Sequence, residues 1–268
     1  NINVDDFIAE ITSYGRLFRL AFNLEIGQSL LPKEPCIERI CFIIFKLNMT
    51  TLFPYVMYIL KNVPAIQERD RIWGLLETYI LRRVVCNTTN NNYSDLFSEN
   101  LIGQDVKTYN SLRTYLDQKN GTSLEIPTDD EVLRCLKENK INKTNASAVL
   151  YLLESRLRND IYADDLRAYD EYVLEFIMPK NWQNNWQSPT MVTVEERTQF
   201  IGSLSNMTIL PSRLNRNISN ADWPTKKNGK NSMDGLDAFR SKVITLKDVL
   251  NEETWDESAM ERRALDLI

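Results

Sequence analysis

The first residue of chemical interest is a carboxylate inside an apolar segment. Glu175 lies in YVLEFIMPKNW, residues 172–182, which is predicted to form a strand that ends before Pro179. Three amides and one lysine follow along the chain, at Asn206, Asn215, Asn220 and Lys226. Carboxylate and amide oxygens suit a hard cation such as Mg²⁺, and such an ion stabilises the charge on a phosphate that undergoes hydrolysis.

The order of these residues along the chain indicates a particular class of metal-dependent site. A strand with an acid, a second strand from Asn206, and a helix or turn with Asn215 and Asn220 form the layout of a ββα-metal (HNH-type) nuclease. A histidine beside the acid then accepts the proton of the attacking water. Phe176 stands at that position, and the chain contains no histidine. Histidine triads, metal ligands and bases are therefore excluded.

Charge leaves room for a local anion-binding patch on an acidic chain. The formal net charge is −5 and the pI is about 5.1, which argues against a surface that is basic all over. Residues 206–230 nevertheless carry five cations against one acid, Asp222; the cations are Arg213, Arg216, Lys226, Lys227 and Lys230. This excess suits contact with phosphates, and a solvated loop is the equally valid alternative.

The elements that position these residues are predicted to be mainly α-helical. Eight glycines in 268 residues and repeated helical spacing of apolar residues predict a helical bundle over 1–160. A small α+β unit, an HNH-like ββα-metal domain, is predicted over 161–268. The expected helices include one capped by Thr50 or Thr51, one from the cap Ser94 to about Tyr115, one capped by Thr193, one over 235–250 with a break near Thr245, and one from Trp255 to the end. Strands are expected near 164–165, over 172–177 and from 206.

The cysteines and the lengths of the apolar runs bear on the cellular compartment of the protein. Cys36, Cys41, Cys86 and Cys135 form no Cys-x-x-Cys pair, so we expect reduced, structural thiols and no zinc knuckle. No apolar run reaches membrane-spanning length, and we expect a cytoplasmic protein. The sequence begins without Met and enters a helical pattern at once, as expected for a fragment of a longer chain.

Three C-terminal motifs carry a family resemblance. LEFIMPKNW (174–182), LSNMTILPSRLNRNISNADWPTKK (204–227) and TWDESAMERRALDL (254–267) resemble the C-terminal HNH-like domain of GmrS/GmrD-type, modification-dependent (type IV) restriction endonucleases. That family has Glu-His-Ile-x-Pro, then Gly-Asn-Leu-Thr-Leu-Leu-Pro-x-x-x-Asn, then Ser-Asn and Lys, then Trp and Arg. TLFPYVMYIL (51–60) and residues 76–97 resemble the family's helical linker to an N-terminal domain.

The resemblance implies a DNA endonuclease module of a phage-defence system that hydrolyses phosphodiesters with Mg²⁺ or Mn²⁺. Its implied partners are DNA, modified or not, and an N-terminal NTPase or ParB-like domain in the same or a partner chain. The implied metal ligands are Glu175, Asn215 and Asn220; the implied catalytic positions are Phe176, Asn206 and Lys226; the implied DNA contacts are Arg213, Arg216, Lys227 and Lys230. Because Phe176 replaces the histidine, we expect an inactive form. The alternative is a non-catalytic DNA- or protein-binding module with the nuclease fold.

Each feature also has a simpler structural interpretation. Glu175 could pair with Arg167 across a hairpin, and the asparagines could form turns and caps. Arg82 and Arg83 could complement a helix dipole. Three tryptophans, Trp182, Trp186 and Trp223, could stack on bases or pack against the hairpin.

Overall fold

The computed structural model describes residues 3–158, 166–211, 220–231 and 233–268. Contacts divide the chain into two compact units. The first comprises Asn1–Ile26, Glu34–Leu81 and Thr88–Ile126; the second comprises Gly27–Lys33, Arg82–Asn87 and Pro127–Ile268. No described helix combines the length and apolar character needed to cross a membrane.

The first unit is helical. Its helices are α1 (Val4–Ala21), α2 (Ile37–Lys46), α3 (Phe53–Asn62), α4 (Ile66–Val85, whose last turn belongs to the second unit), a π-helical turn (Asp95–Asn100) that continues into α5 (Leu101–Gly103), and α6 (Tyr109–Asp117). The core packs apolar faces of α2, α3 and α4 with the aromatic rings of Tyr79, Tyr93 and Phe97. In contrast, α1 buries none of its residues.

The second unit surrounds a two-stranded sheet with helices. Its elements are α7 (Asp129–Glu138), α8 (Lys143–Leu157), β1 (Tyr172–Phe176), α9 (Val194–Ile201), β2 (Met207–Pro211), α10 (Trp223–Asn228), β3 (Gly229–Lys230), β4 (Met233–Asp234) and α11 (Glu257–Asp266). β1 and β2 are antiparallel, and so are β3 and β4. The fold is therefore mainly helical with a small antiparallel component, as predicted in outline.

Local sequence signals explain several helix boundaries. Thr128 and Thr193 each accept a hydrogen bond from the backbone N–H three residues on, and the Glu131 and Glu196 carboxylates accept one from the backbone N–H of the cap residue. These reciprocal capping boxes fix the starts of α7 and α9. α4 ends before Asn87, which has φ of 52°, a left-handed conformation that asparagine tolerates. Both capping boxes are readable in the sequence.

Other predicted elements differ in the structure. Thr50 and Thr51 lie in a 3₁₀ turn and cap no helix. The helix expected from Ser94 to Tyr115 is interrupted after Gly103, and α6 starts at a new cap, Thr108. Residues 235–250 form separate 3₁₀ turns (Leu236–Phe239, Ile244–Leu246 and Val249–Asn251). The β-branched run of residues 243–245 disfavours an α-helix there. The strand expected near 164–165 lies outside the described residues.

The division between the units also differs from the boundary at residue 160. The contacts divide the chain at 126–127, because α7 and α8 pack within the second unit. α8 contacts β1 and β2, and α7 contacts α9 and α11. A sequence pattern of successive helices does not reveal that these two helices cover a sheet that forms later in the chain.

Candidate active site

The β1–β2 hairpin places Glu175 on a buried face. Glu175 is paired in register with Thr208, and directly opposed residues of an antiparallel pair project to the same face. Both are buried, and the Thr208 hydroxyl has no hydrogen-bond partner among the described residues. The site therefore begins as a carboxylate beside a hydroxyl, both shielded from water.

Lys226 completes this cluster from α10. Asp222 caps α10 by accepting the Thr225 N–H at 3.0 Å, and Pro224 occupies its first turn. The Lys226 ammonium, with no exposed side-chain area, lies 2.6 Å from Glu175 Oε1 and also donates to the Phe176 carbonyl. Burial lowers the pKa of Lys226, and the Glu175 carboxylate offsets part of that shift. Lys226, one of the implied catalytic positions, therefore lies in the interior of the second unit.

Phe176 ends β1 with a half-buried ring. In a regular strand, neighbouring residues project to opposite faces, so Phe176 and Glu175 do not share one. The exposed residue Lys180 places its Nζ 5.0 Å from the centroid of the Phe176 ring, within the range of a cation–π contact. A phenyl ring cannot accept a proton. Position 176 is thus the more accessible part of this strand end, and it carries no base.

Asn206 is an internal clamp. Its Oδ1 accepts the Met178 N–H at 2.8 Å and the Trp255 indole N–H at 3.0 Å. Its Nδ2 donates to the carbonyls of Met178 at 2.9 Å and Ile201 at 3.1 Å. Four hydrogen bonds use both lone pairs and both N–H donors of the amide. Asn206 therefore joins the end of β1, the end of α9 and the start of α11.

The other predicted site residues are more dispersed. Asn220 is exposed in a turn, and its carbonyl accepts the Asn185 amide at 2.7 Å. Lys227 donates to the Glu252 carbonyl at 2.8 Å, whereas Lys230 is exposed. Asn215, Arg213 and Arg216 lie outside the described residues. The structure thus brings together Glu175 and Lys226, at the end of β1 that Asn206 clamps.

A divalent ion needs several oxygen ligands with free lone pairs, and side-chain oxygens of two residues at this strand end are already in contact with donors. Glu175 Oε1 is in contact with the Lys226 ammonium, and Asn206 Oδ1 already accepts two N–H groups. No cluster of three His, Cys, Asp or Glu with metal-binding geometry occurs in the described parts of the chain. The roles of Glu175, Asn215 and Asn220 as ligands therefore stay predictions.

Arg167 is not the partner of Glu175. Its guanidinium lies 3.4 Å from Glu171, and both side chains are about half exposed. The simpler interpretation of Glu175 as an ion-pair residue was correct in kind, because the carboxylate does pair with a cation. The partner comes from α10, far along the chain, and sequence proximity could not indicate it.

The tryptophans near the hairpin pack in the protein. Trp182 is buried beneath the Arg197 guanidinium, which lies 4.6 Å from its ring centroid. Trp223 packs against Trp255 with ring centroids 5.7 Å apart, and Trp186 donates its indole N–H to the Ala221 carbonyl. Sequence reasoning did not assign Trp255 to the Asn206 clamp. Its position in the third motif was the available signal.

Arg263, which belongs to the third sequence motif, is a buried cation. It donates to the Ser205 carbonyl at 2.9 Å, and its Nε and Nη2 have no partner among the described residues. Burial lowers its pKa to about 9, so the group still carries its charge at neutral pH.

The cysteines are free thiols. Burial raises the pKa of Cys36 to about 12, of Cys41 to about 11 and of Cys86 to about 12. Since the thiolate is the reactive form, these three residues are poor nucleophiles and fit the structural role that was expected.

Comparison with known proteins identifies the domain that contains this strand end. Residues 126–268, more than half of the chain, match the family described as GmrSD restriction endonucleases, C-terminal domain. The match covers the hairpin, α10 and α11, and it begins where the contacts place the main part of the second unit. No curated protein matches the chain. On the evidence of this match, the chain belongs to the GmrSD restriction-endonuclease family, of which it carries the C-terminal domain.

Proposed function

We propose that this chain carries the DNA-endonuclease module of a modification-dependent, phage-defence restriction system, in a form that Phe176 leaves without hydrolytic activity. The observation that carries the proposal is the end of β1. A family motif places a buried Glu175–Lys226 pair there, and the adjoining accessible position bears a phenyl ring. The buried pair supports a nuclease origin for the domain. The phenyl ring at position 176 leaves this strand end without a proton acceptor.

The chemical consequence follows from the side chains. A positioned general base contributes typically ~10²–10⁴-fold to a hydrolysis rate. Lys226 cannot replace it, because its ammonium is buried and donates to Glu175 and to the Phe176 carbonyl. In the active form of such a module, Mg²⁺ or Mn²⁺ would supply charge stabilisation at the phosphate. Of its implied ligands, Glu175 contacts Lys226 and Asn220 lies in an exposed turn, and Asn215 lies outside the described residues.

Contact with DNA is proposed to depend on exposed lysines that follow β1 and α10 along the chain. Lys180 lies four residues after the end of β1, and Lys230 lies in β3; both are exposed. Exposed lysines add a salt-dependent, sequence-independent attraction for phosphates. Arg213 and Arg216 remain predicted contacts, and Lys227 is less available because it binds the Glu252 carbonyl. We further propose that an N-terminal NTPase domain supplies recognition of modified DNA, and that the module works in the cytoplasm.

The test combines binding and cleavage by the chain as it stands. Fluorescence anisotropy with a short duplex should show binding that weakens steeply as salt increases, and a supercoiled plasmid should remain uncut in Mg²⁺, Mn²⁺ or EDTA. The pair of substitutions Lys180→Gln and Lys230→Gln should weaken binding and lower the salt slope by up to about 2. Lys143→Gln with Lys247→Gln, which changes two exposed lysines elsewhere, is the matched control.

The outcomes separate the alternatives. Divalent-dependent cleavage by the parent chain would contradict the proposed inactivity. Binding that is the same in the Lys180/Lys230 and control variants would contradict the proposed DNA surface. Absence of DNA binding at low salt, with the fold intact, would favour a protein-binding module instead.

A further inference from the structure

The second unit contains a cavity outside the cluster around Glu175 and Lys226. Its volume is about 370 Å³, near the lower end of the range for ligand pockets. Three indole side chains line it: Trp186, Trp223 and Trp255. A cavity of this size suits one side chain or a small molecule.

The indoles form a preformed aromatic wall. Trp223 and Trp255 pack 5.7 Å apart with an interplanar angle of 36°. The N–H groups of Trp186 and Trp255 are fixed by the Ala221 carbonyl and Asn206 Oδ1, respectively. The Trp223 N–H differs, because it is buried and has no partner in the described part of the chain. A guest that brought an oxygen acceptor would satisfy it.

The charge around the cavity is negative. Its described lining includes four carboxylates and one guanidinium; the carboxylates are Asp222, Glu253, Asp256 and Glu257. The guanidinium of Arg197 is already occupied by both oxygens of Glu257 and by the Gln187 carbonyl. Lys227 lies nearby, 5.9 Å from the Trp223 ring centroid, and is held by the Glu252 carbonyl.

The positive N-terminal ends of α10 and α11 do not cancel the negative charge around the cavity. Asp222 caps α10 and Asp256 caps α11, so each faces the positive end of a helix. A helix N-terminus is equivalent to roughly half a positive charge, which is less than the full charge of the capping carboxylate. Glu253 is exposed and caps neither helix. The cavity therefore keeps a net attraction for cations.

We propose that this cavity binds an arginine side chain from a peptide segment of a partner protein. A planar guanidinium stacks on indole faces and pairs with carboxylates. The carbonyl of the same peptide would offer the Trp223 N–H its missing acceptor. The proposal is independent of the proposed nuclease origin, because none of the residues around Glu175 is needed for it.

A nucleotide guest is disfavoured by the same features. Indole rings would accept a stacked base, but the carboxylates around the opening repel its phosphate. DNA contact at Lys180 and Lys230 and peptide contact at this cavity therefore make different demands on charge, and binding experiments can separate them.

The test uses Nα-acetyl-arginine amide as the probe and the indole N–H signals of the chain in NMR spectra as the readout. The five tryptophans are assigned by Trp→Phe variants. Signals of Trp186, Trp223 and Trp255 should shift on titration, with an affinity of about 1 mM, whereas those of Trp73 and Trp182 should stay in place. The uncharged isostere Nα-acetyl-citrulline amide should bind roughly five- to tenfold more weakly.

Glu253→Gln should weaken arginine binding roughly twofold without disturbing a helix cap, and Glu195→Gln on α9, outside the cavity, should leave it unchanged. Deoxycytidine monophosphate should bind more weakly than the arginine probe. Equal affinity for citrulline and arginine, tighter binding of the nucleotide, or no movement of the three indole signals at about 20 mM probe would each overturn the proposal.

Discussion

Two buried ion pairs, one taken from each unit, stabilise their buried charges with different geometries. In the helical unit, the Arg39 guanidinium on α2 binds Glu77 on α4 through two parallel hydrogen bonds of 2.5 and 2.8 Å. In the second unit, the Lys226 ammonium reaches one oxygen of Glu175 and a backbone carbonyl. Arg39 and Lys226 both have no exposed side-chain area, while Glu77 is 13% and Glu175 7% exposed.

The difference shows that burial of an ion pair does not by itself mark a functional site. The Arg39–Glu77 pair joins two helices, and its planar geometry explains it as a structural link. The Glu175–Lys226 pair joins the end of a strand to a short helix, next to Phe176, the position at which the motif resemblance implies a histidine. What distinguishes the second pair is its place in the motif, at the end of the strand that carries Phe176.

The largest expected effect comes from removing the lysine of the second pair. Lys226→Met removes the ammonium that contacts the buried Glu175 carboxylate, and the free energy of unfolding should fall by about 3–5 kcal/mol. Urea unfolding followed by tryptophan fluorescence measures this, because four of the five tryptophans lie in the second unit. The double variant Glu175→Gln with Lys226→Met should lose less. Equal losses in the single and double variants would show that the two charges are not coupled.

The corresponding change in the helical unit should cost somewhat less. Arg39→Met should lower the stability of the first unit by about 2–4 kcal/mol, since the partly exposed Glu77 can recover water. Arg39→Lys should cost about 1–2 kcal/mol, because an ammonium cannot form the parallel pair of hydrogen bonds. Circular dichroism during urea unfolding measures the loss of helix, and comparison with the tryptophan-fluorescence transition, which reports mainly the second unit, assigns the change to the first. A loss for Arg39→Lys as large as for Arg39→Met would contradict the importance attached to charge.

Removal of Arg263, a buried cation that no carboxylate of the described residues contacts, should have the opposite effect on stability. Arg263→Met should leave stability unchanged or raise it by about 1–2 kcal/mol at pH 7. The folded-state pKa of Arg263 is about 9, below its ordinary value, so the unfolded chain binds more protons above pH 9. The cost of burying the charge is therefore full below pH 9 and falls as pH rises. The advantage of the variant should shrink between pH 8 and 10.5 in parallel unfolding experiments; an advantage that grows with pH would refute this explanation.

The smallest effect is expected at an exposed pair. Arg113 and Asp117 lie one turn apart on α6 and are about half exposed. Arg113→Ala should change the unfolding free energy by about 0.3–0.5 kcal/mol, measurable as a slight shift of the urea midpoint. A loss above about 2 kcal/mol would mean that exposure does not separate this pair from the buried ones.

The sequence was sufficient where the signal was local. Thr128, Thr193 and their glutamates specify helix starts through contacts three residues apart, and the apolar run of residues 172–177, which ends before Pro179, predicted β1. It was insufficient where the partner was distant. The pairing of Glu175 with Lys226 and the four hydrogen bonds of Asn206 depend on how α9, α10 and α11 pack around the hairpin, which spacing along the chain does not encode.

Asn206 is another residue whose contacts come from segments that are distant along the chain. An asparagine at the start of a strand in a nuclease-like motif was assigned to catalysis. Its amide instead holds three segments together, so Asn206→Ala would be expected to disturb folding and would make a poor control for an assay of activity. A substitution at an accessible position gives a clearer test.

That position is 176, and the central claim is that its phenyl ring is what silences the module. The deciding measurement compares plasmid nicking by Phe176→His and Phe176→Gln, with Mg²⁺, with Mn²⁺ and in EDTA. An imidazole at this half-buried position can accept a proton, whereas the amide, also polar, cannot. Phe176→His should nick DNA at least ~10²-fold faster than the parent, only with a divalent ion present, and Phe176→Gln should remain silent. If both variants fold, bind DNA like the parent and leave it equally uncut, the claim is contradicted.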